Sequence, residues 1–85
     1  LTKKDYTITY LTKNDFFINY ENFITDPLFL DIKNNKTNFV FGKFSNNTLN
    51  SINSENCSAL IFPINDNSIN NYLIFVINND FLKKL

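Results

Sequence analysis

Asp26-Pro27-Leu28-Phe29-Leu30-Asp31-Ile32-Lys33 is the stretch on which the reading of the fold turns. Taken in twos, Leu28, Leu30 and Ile32 fall on one side and Phe29, Asp31 and Lys33 on the other, the alternation of a half-buried strand. Asp26-Pro27 before it reads as a break. A strand is therefore predicted over 28–33. Working towards the N-terminus, 16–24 reads as another strand, entered from a Lys13-Asn14-Asp15 turn. Before that turn, 5–12 alternates cleanly, with Tyr6, Ile8 and Tyr10 on one face and Thr7 and Thr9 on the other. Towards the C-terminus, Asn34-Asn35 is a turn and 37–44 a fourth strand, with a bulge expected at Gly42.

At Ser45 the period changes. Ser45 has the chemistry of a helix N-cap, and Phe44 and Leu49 have the spacing of a hydrophobic staple. A short helix over 46–56 follows. Strands are predicted over 57–64 and 71–78, with Pro63 at an edge or a strand end. Residues 72–77 are apolar on both faces, as in a central strand. Phe81, Leu82 and Leu85 predict a terminal helical turn. The expected fold is α+β, a single domain over 1–85: a mixed or antiparallel sheet of about six strands in the order β-β-β-β-α-β-β, one short main helix and a C-terminal helical turn.

Composition narrows the chemistry. The 85 residues are 44% apolar and include ten Phe and four Tyr, enough aromatic area to build a core at this small size. There is no His and one Cys, Cys57, so the chain cannot make an internal disulfide, a Cys/His zinc site or a histidine-based triad. Arg is absent, which removes bidentate phosphate recognition. Eight Lys balance eight acids, so no basic footprint for nucleic acid exists at the level of composition. The longest apolar runs, 59–64 and 73–77, are too short to span a bilayer. The opening Leu-Thr-Lys-Lys-Asp-Tyr lacks an apolar signal core, and a cytoplasmic location is expected. Seventeen Asn, one residue in five, together with abundant Ile and Phe, are the composition of an AT-rich coding sequence.

One constellation carries chemistry. On the predicted strand, Asp31 and Lys33 share a face, and Asp15 opens the preceding strand. Two carboxylates on neighbouring strands can hold a divalent cation while a lysine positions or activates water. The stretches Asp15-Phe16-Phe17-Ile18-Asn19-Tyr20 and Leu28-Phe29-Leu30-Asp31-Ile32-Lys33-Asn34-Asn35 resemble the metal-binding hairpin of RecU-type Holliday-junction resolvases, within the PD-(D/E)xK nucleases. The resemblance implies Asp15 and Asp31 as Mg²⁺ ligands and Lys33 as catalytic lysine. It departs from the family in having no room for the leading acidic helix, in Asp where Glu is usual, and in lacking a basic surface. The same residues also fit a solvated Asp-x-Lys pair beside a polar turn.

By elimination, the first expectation is a small protein-interaction module, of inhibitor, immunity or accessory-subunit type, with no cofactor. Its contact residues are expected in the aromatic-rich N-terminal hairpin: Tyr6, Tyr10, Phe17 and Tyr20. The metal-dependent nuclease is the alternative.

Overall fold

The computed structural model describes residues 16–51, 54–66 and 69–84. The strand expected over 5–12, the turn at 13–15, and with them Tyr6, Tyr10 and Asp15, lie outside the described residues. In chain order the elements are β1 (Phe17–Ile18), α1 (Tyr20–Phe23), α2 (Pro27–Asn35), β2 (Val40–Gly42), β3 (Leu49–Asn50), a 3₁₀ turn (Ser54–Asn56), β4 (Cys57–Asp66), β5 (Ile69–Asn78) and α3 (Asn79–Lys83). The described strands form two antiparallel sheets, β1–β3 and β2–β4–β5, so the α+β class stands. The single-helix order β-β-β-β-α-β-β does not, because the described residues include three short helices and one of them occupies the deciding stretch.

That stretch is α2. Asp26 is its N-cap, with extended backbone (φ −70°, ψ 133°) and a side chain accepting from the Leu28 N–H, and Pro27 stands at the first helical position. A carboxylate cap followed by proline is a helix start, because proline has no N–H to leave unpaired there and its φ already suits a helix. The pair that reads as a break is the start signal. In the helix, Phe29 and Ile32, three apart, turn to one side and are buried. The helix ends at Lys36, whose φ of 52° is left-handed and whose N–H donates to the Ile32 carbonyl.

The strand expected over 16–24 is likewise shortened. After β1, Asn19 caps α1, its Oδ1 accepting from the Asn22 N–H at 2.9 Å. The helix expected over 46–56 is replaced by β3 and the 3₁₀ turn. Ser45 serves through its main chain and not as a cap: its N–H donates to Asp26. Asn47 takes a left-handed φ of 52° in the bend that leads into β3, where Leu49 pairs with Ile18.

β4 and β5 form a ten-pair hairpin ladder from Cys57↔Asn78 to Asp66↔Ile69. β2 adds to the other side of β4, Val40↔Ile61 to Gly42↔Ala59. Among the described strands β4, and not β5, therefore has neighbours on both sides. Pro63 lies past the end of β2, where its missing N–H interrupts no ladder to that strand. Gly42 pairs in register without a bulge. Its role is close approach: a Cβ there would stand 3.1 Å from Leu28 Cδ1, so glycine lets α2 settle on β2.

α2 packs on β2 and β4. The core beneath it comprises Ile18, Phe23, Phe29, Ile32, Val40, Leu49, Ala59 and Ile61. An aromatic column runs through it: Phe44 meets Phe23 edge-on at 6.0 Å, Phe23 meets Phe29 at 4.4 Å, and Phe29 meets Tyr72 edge-on at 5.0 Å. Such geometries add to area burial because ring edges and faces carry opposite partial charge.

Between α1 and α2 lies the other buried feature, the Asp26 carboxylate, at 0% exposure. Oδ1 accepts from the Leu28 N–H at 3.1 Å. Oδ2 accepts from the N–H groups of Ser45 (2.9 Å) and Asn46 (3.1 Å) and from the Thr48 hydroxyl (2.7 Å). Four donors thus replace the water lost on burial, and the start of α2 adds its favourable dipole.

Asp26→Asn keeps the shape but puts an NH₂ against either the Leu28 N–H or the cluster on Oδ2. It should destabilise the fold by about 1–3 kcal/mol, and Asp26→Ala by more, since all four donors lose their acceptor. Urea unfolding midpoints test this; a midpoint unchanged in both variants would show that the carboxylate is no structural tie. Ile61, at 0% exposure, is the corresponding apolar test. Ile61→Ala should cost about 2–5 kcal/mol through lost transfer energy and the cavity left behind.

Candidate functional site

Alternation along β2, β4 and β5 sends their side chains to two unlike environments. On the inner face, Val40, Ala59 and Ile61 are buried, and Tyr72, Ile74 and Val76 pack partly against the core. The outer face carries Phe41, Leu60 and Phe75 side by side across the sheet, by the pairings Phe41↔Leu60 and Leu60↔Phe75. The next outward row pairs Phe62 with Leu73. Phe39, just before β2, meets Phe62 at 6.0 Å, and Phe62 meets Phe75 edge-on at 6.0 Å. A second aromatic chain thus lies on the sheet's other side.

No element among the described residues covers this outer face. Phe39 is 54% exposed, Phe41 50%, Phe75 47% and Ile64 45%. Leu60, Phe62, Leu73 and Ile77 are half-buried. At the far end the face closes: Ser58 is buried and its hydroxyl donates to Asn79 Oδ1 at 2.8 Å, while Asn78 caps α3. Single exposed apolar residues are ordinary; a contiguous aromatic sheet face is less so, and is consistent with a contact surface.

The residues singled out from sequence fare differently. Asp31 and Lys33 lie on α2, not on a strand, and two residues of helix place them about 200° apart around the axis instead of on one face. Both are exposed, and Asp31 accepts a hydrogen bond from Asn35 Nδ2 one turn on. Asp15 lies outside the described residues. Among the described residues no three His, Cys, Asp or Glu side chains gather as a metal site. Phe17 is 59% exposed on β1, while Tyr20, at the start of α1, is half-buried. Neither stands on the three-stranded sheet. Phe39, Phe41, Phe62 and Phe75 were not anticipated. The signal nearest to them was residues 72–77, apolar on both faces, which means that something must cover each side.

A polar hollow of about 230 Å³ lies beside the Asp26 cluster, lined by Ser45, Thr48, Ser54, Glu55 and Cys57 among others. The Thr48 hydroxyl already donates to Asp26, and the Glu55 carbonyl accepts from Lys43 Nζ at 2.8 Å. Glu55 alone among its described lining residues carries a carboxylate, so the hollow joins no acid–base pair. Among the described residues no helix is long and apolar enough to cross a membrane. No family model, curated protein or solved structure matches the chain.

Asp31→Asn and Lys33→Ala touch solvated positions on α2. Each should change unfolding stability by no more than about 0.5 kcal/mol. A loss several times larger in a thermal or urea melt would show that these side chains have a structural partner beyond Asn35.

Proposed function

We propose that this chain is a small protein-binding module, of inhibitor, immunity or accessory-subunit type, that docks through the outer face of its three-stranded sheet. The observation that carries this reading is the half-exposure of Phe39, Phe41 and Phe75 on one continuous face. Aromatic side chains are strong interface anchors because they offer large area with few rotatable bonds to freeze. The scaffold beneath them supports the role. Inner-face packing, the aromatic column and the α2 contacts hold the three strands, so the outer rings need little ordering on binding. The outward positions from Ser58 to Ile64 and from Asn71 to Ile77 carry no charge, which suits a partner that is also apolar at its centre. Recognition would come from shape and from a polar rim, with little electrostatic steering. Phe17, exposed on the other sheet, lies apart from this surface.

The test is site-specific photo-crosslinking. p-Benzoylphenylalanine in place of Phe75, in a lysate of the native cells, should give a protein adduct, and the same group in place of Lys33 on α2 should not. Phe41→Asp in the Phe75-labelled chain should abolish the adduct. Equal labelling from both positions, or none from position 75, rules this face out as the docking surface.

A further inference from the structure

We propose that the occupant of the outer face is a second copy of this chain, with two sheets packed face to face across a twofold axis. The inference rests on the docking role just given to this face and names the partner.

Three observations carry it. The first is charge. From Ser58 to Ile64 and from Asn71 to Ile77 no outward position is ionisable; the charges stand at the ends of the face, Lys43 two residues beyond Phe41 with its Nζ on the Glu55 carbonyl, and Asp66, by register, two residues beyond Ile64. Over the rows between them, two identical faces can meet without opposing like charges or desolvating an ion, the usual obstacle to self-association. The chain as a whole has a net charge of zero, so no long-range repulsion holds copies apart.

The second is relief. Across the sheet the order is Phe41, Leu60, Phe75, with the two rings about half exposed and Leu60 half-buried between them. In this row Leu60 lies low between two raised rings, while at the other end of β4 Ile64 is itself 45% exposed. A twofold axis beside the row lays a ring of one copy over the Leu60 dip of the other, the interdigitation by which stacked sheets pack about 10 Å apart. Because a twofold interface uses the same patch on both copies, it needs a surface complementary to itself, and raised rings beside a dip meet that need in this row.

The third is area. A half-exposed phenylalanine leaves roughly 100 Å² open. With Ile64 and the half-buried row, the face offers on the order of 500 Å² per copy, or about 1,000 Å² in the pair, which meets the lower bound for a specific interface.

Sedimentation equilibrium of the full chain tests the proposal. Between about 5 and 200 μM the mass should rise from the 10.0-kDa monomer towards twice that value, as mass action requires of an interface at the small end of the range. Phe41→Asp and Phe75→Asp should each weaken association at least about 30-fold, as loss of an anchor does. Phe17→Asp, on the other sheet, should leave it intact. Far-UV circular dichroism checks that each variant is folded. The unmutated chain supplies a readout independent of substitution: on dilution, NMR signals of Phe39, Phe41, Phe62 and Phe75 should move while those of α2 stay in place.

A wild-type chain that remains monomeric overturns the proposal. So does a dimer that survives both Asp substitutions in β2 and β5, dilution shifts centred on α2, or an association that collapses on adding salt. The two readings part cleanly. A monomer whose position-75 probe still labels a protein of different mass, in a Phe41-dependent way, defeats the dimer and leaves the docking module standing. A monomer with no adduct defeats both.

Discussion

The rest of the structure hangs on the Asp26 carboxylate. It is buried where an unmet charge would be prohibitive, and its two oxygens bind different parts of the chain. Oδ1 holds the first turn of α2; Oδ2 holds the loop at residues 45–48. That loop leads through Asn47 into β3, which pairs with β1, while the Asn19 N–H adds a bond to the Thr48 carbonyl at 2.8 Å. One side chain therefore fixes where the small sheet sits relative to the helix that covers the large one. The aromatic column from Phe44 to Tyr72 runs beside it, so the polar tie and the apolar packing enforce the same arrangement.

The parts legible in the sequence were those whose signal is local and unambiguous. The β4–β5 hairpin and the terminal helical turn follow from apolar runs and their punctuation. Residues 28–33 were misread because they satisfy two periods at once. Leu28, Leu30 and Ile32 alternate, yet Phe29 and Ile32 have helical spacing, and a short apolar run cannot be assigned by periodicity alone. The arbiter was Asp26-Pro27, a cap followed by a first-turn proline. Ser45 misled for a different reason. Its residue type suits a cap, but the fold uses its main-chain N–H, which no residue type announces.

The candidate site was less legible than the fold. Which side of a sheet stays open depends on where the helices land, and the expected fold placed its one main helix over 46–56 and read α2 as a strand. Residues 72–77, apolar on both faces, predict burial on both sides and a place at the centre of the sheet. The structure covers the inner face and leaves the outer rings about half exposed. Asp31 and Lys33 looked like a site only while they shared a strand face; on a helix their spacing separates them. The abundant asparagines, attributable to base composition, nonetheless hold specific posts: Asn19 and Asn78 cap helices, and Asn47 accepts the left-handed turn.

The Asp26 tie also bears on how far this chain could drift while keeping its shape. Of its four donors, three are main-chain N–H groups, so the identities of Leu28, Ser45 and Asn46 do not enter the bonds at all. Proline is the one residue barred from those positions on this ground, since it lacks the hydrogen. Within the tie itself, side-chain identity matters only at Asp26 and Thr48. A descendant that kept a residue tolerant of the left-handed turn at position 47 could therefore rewrite positions 45 and 46 and retain the tie with two polar residues twenty-two positions apart, a signature too sparse for sequence similarity alone to reveal.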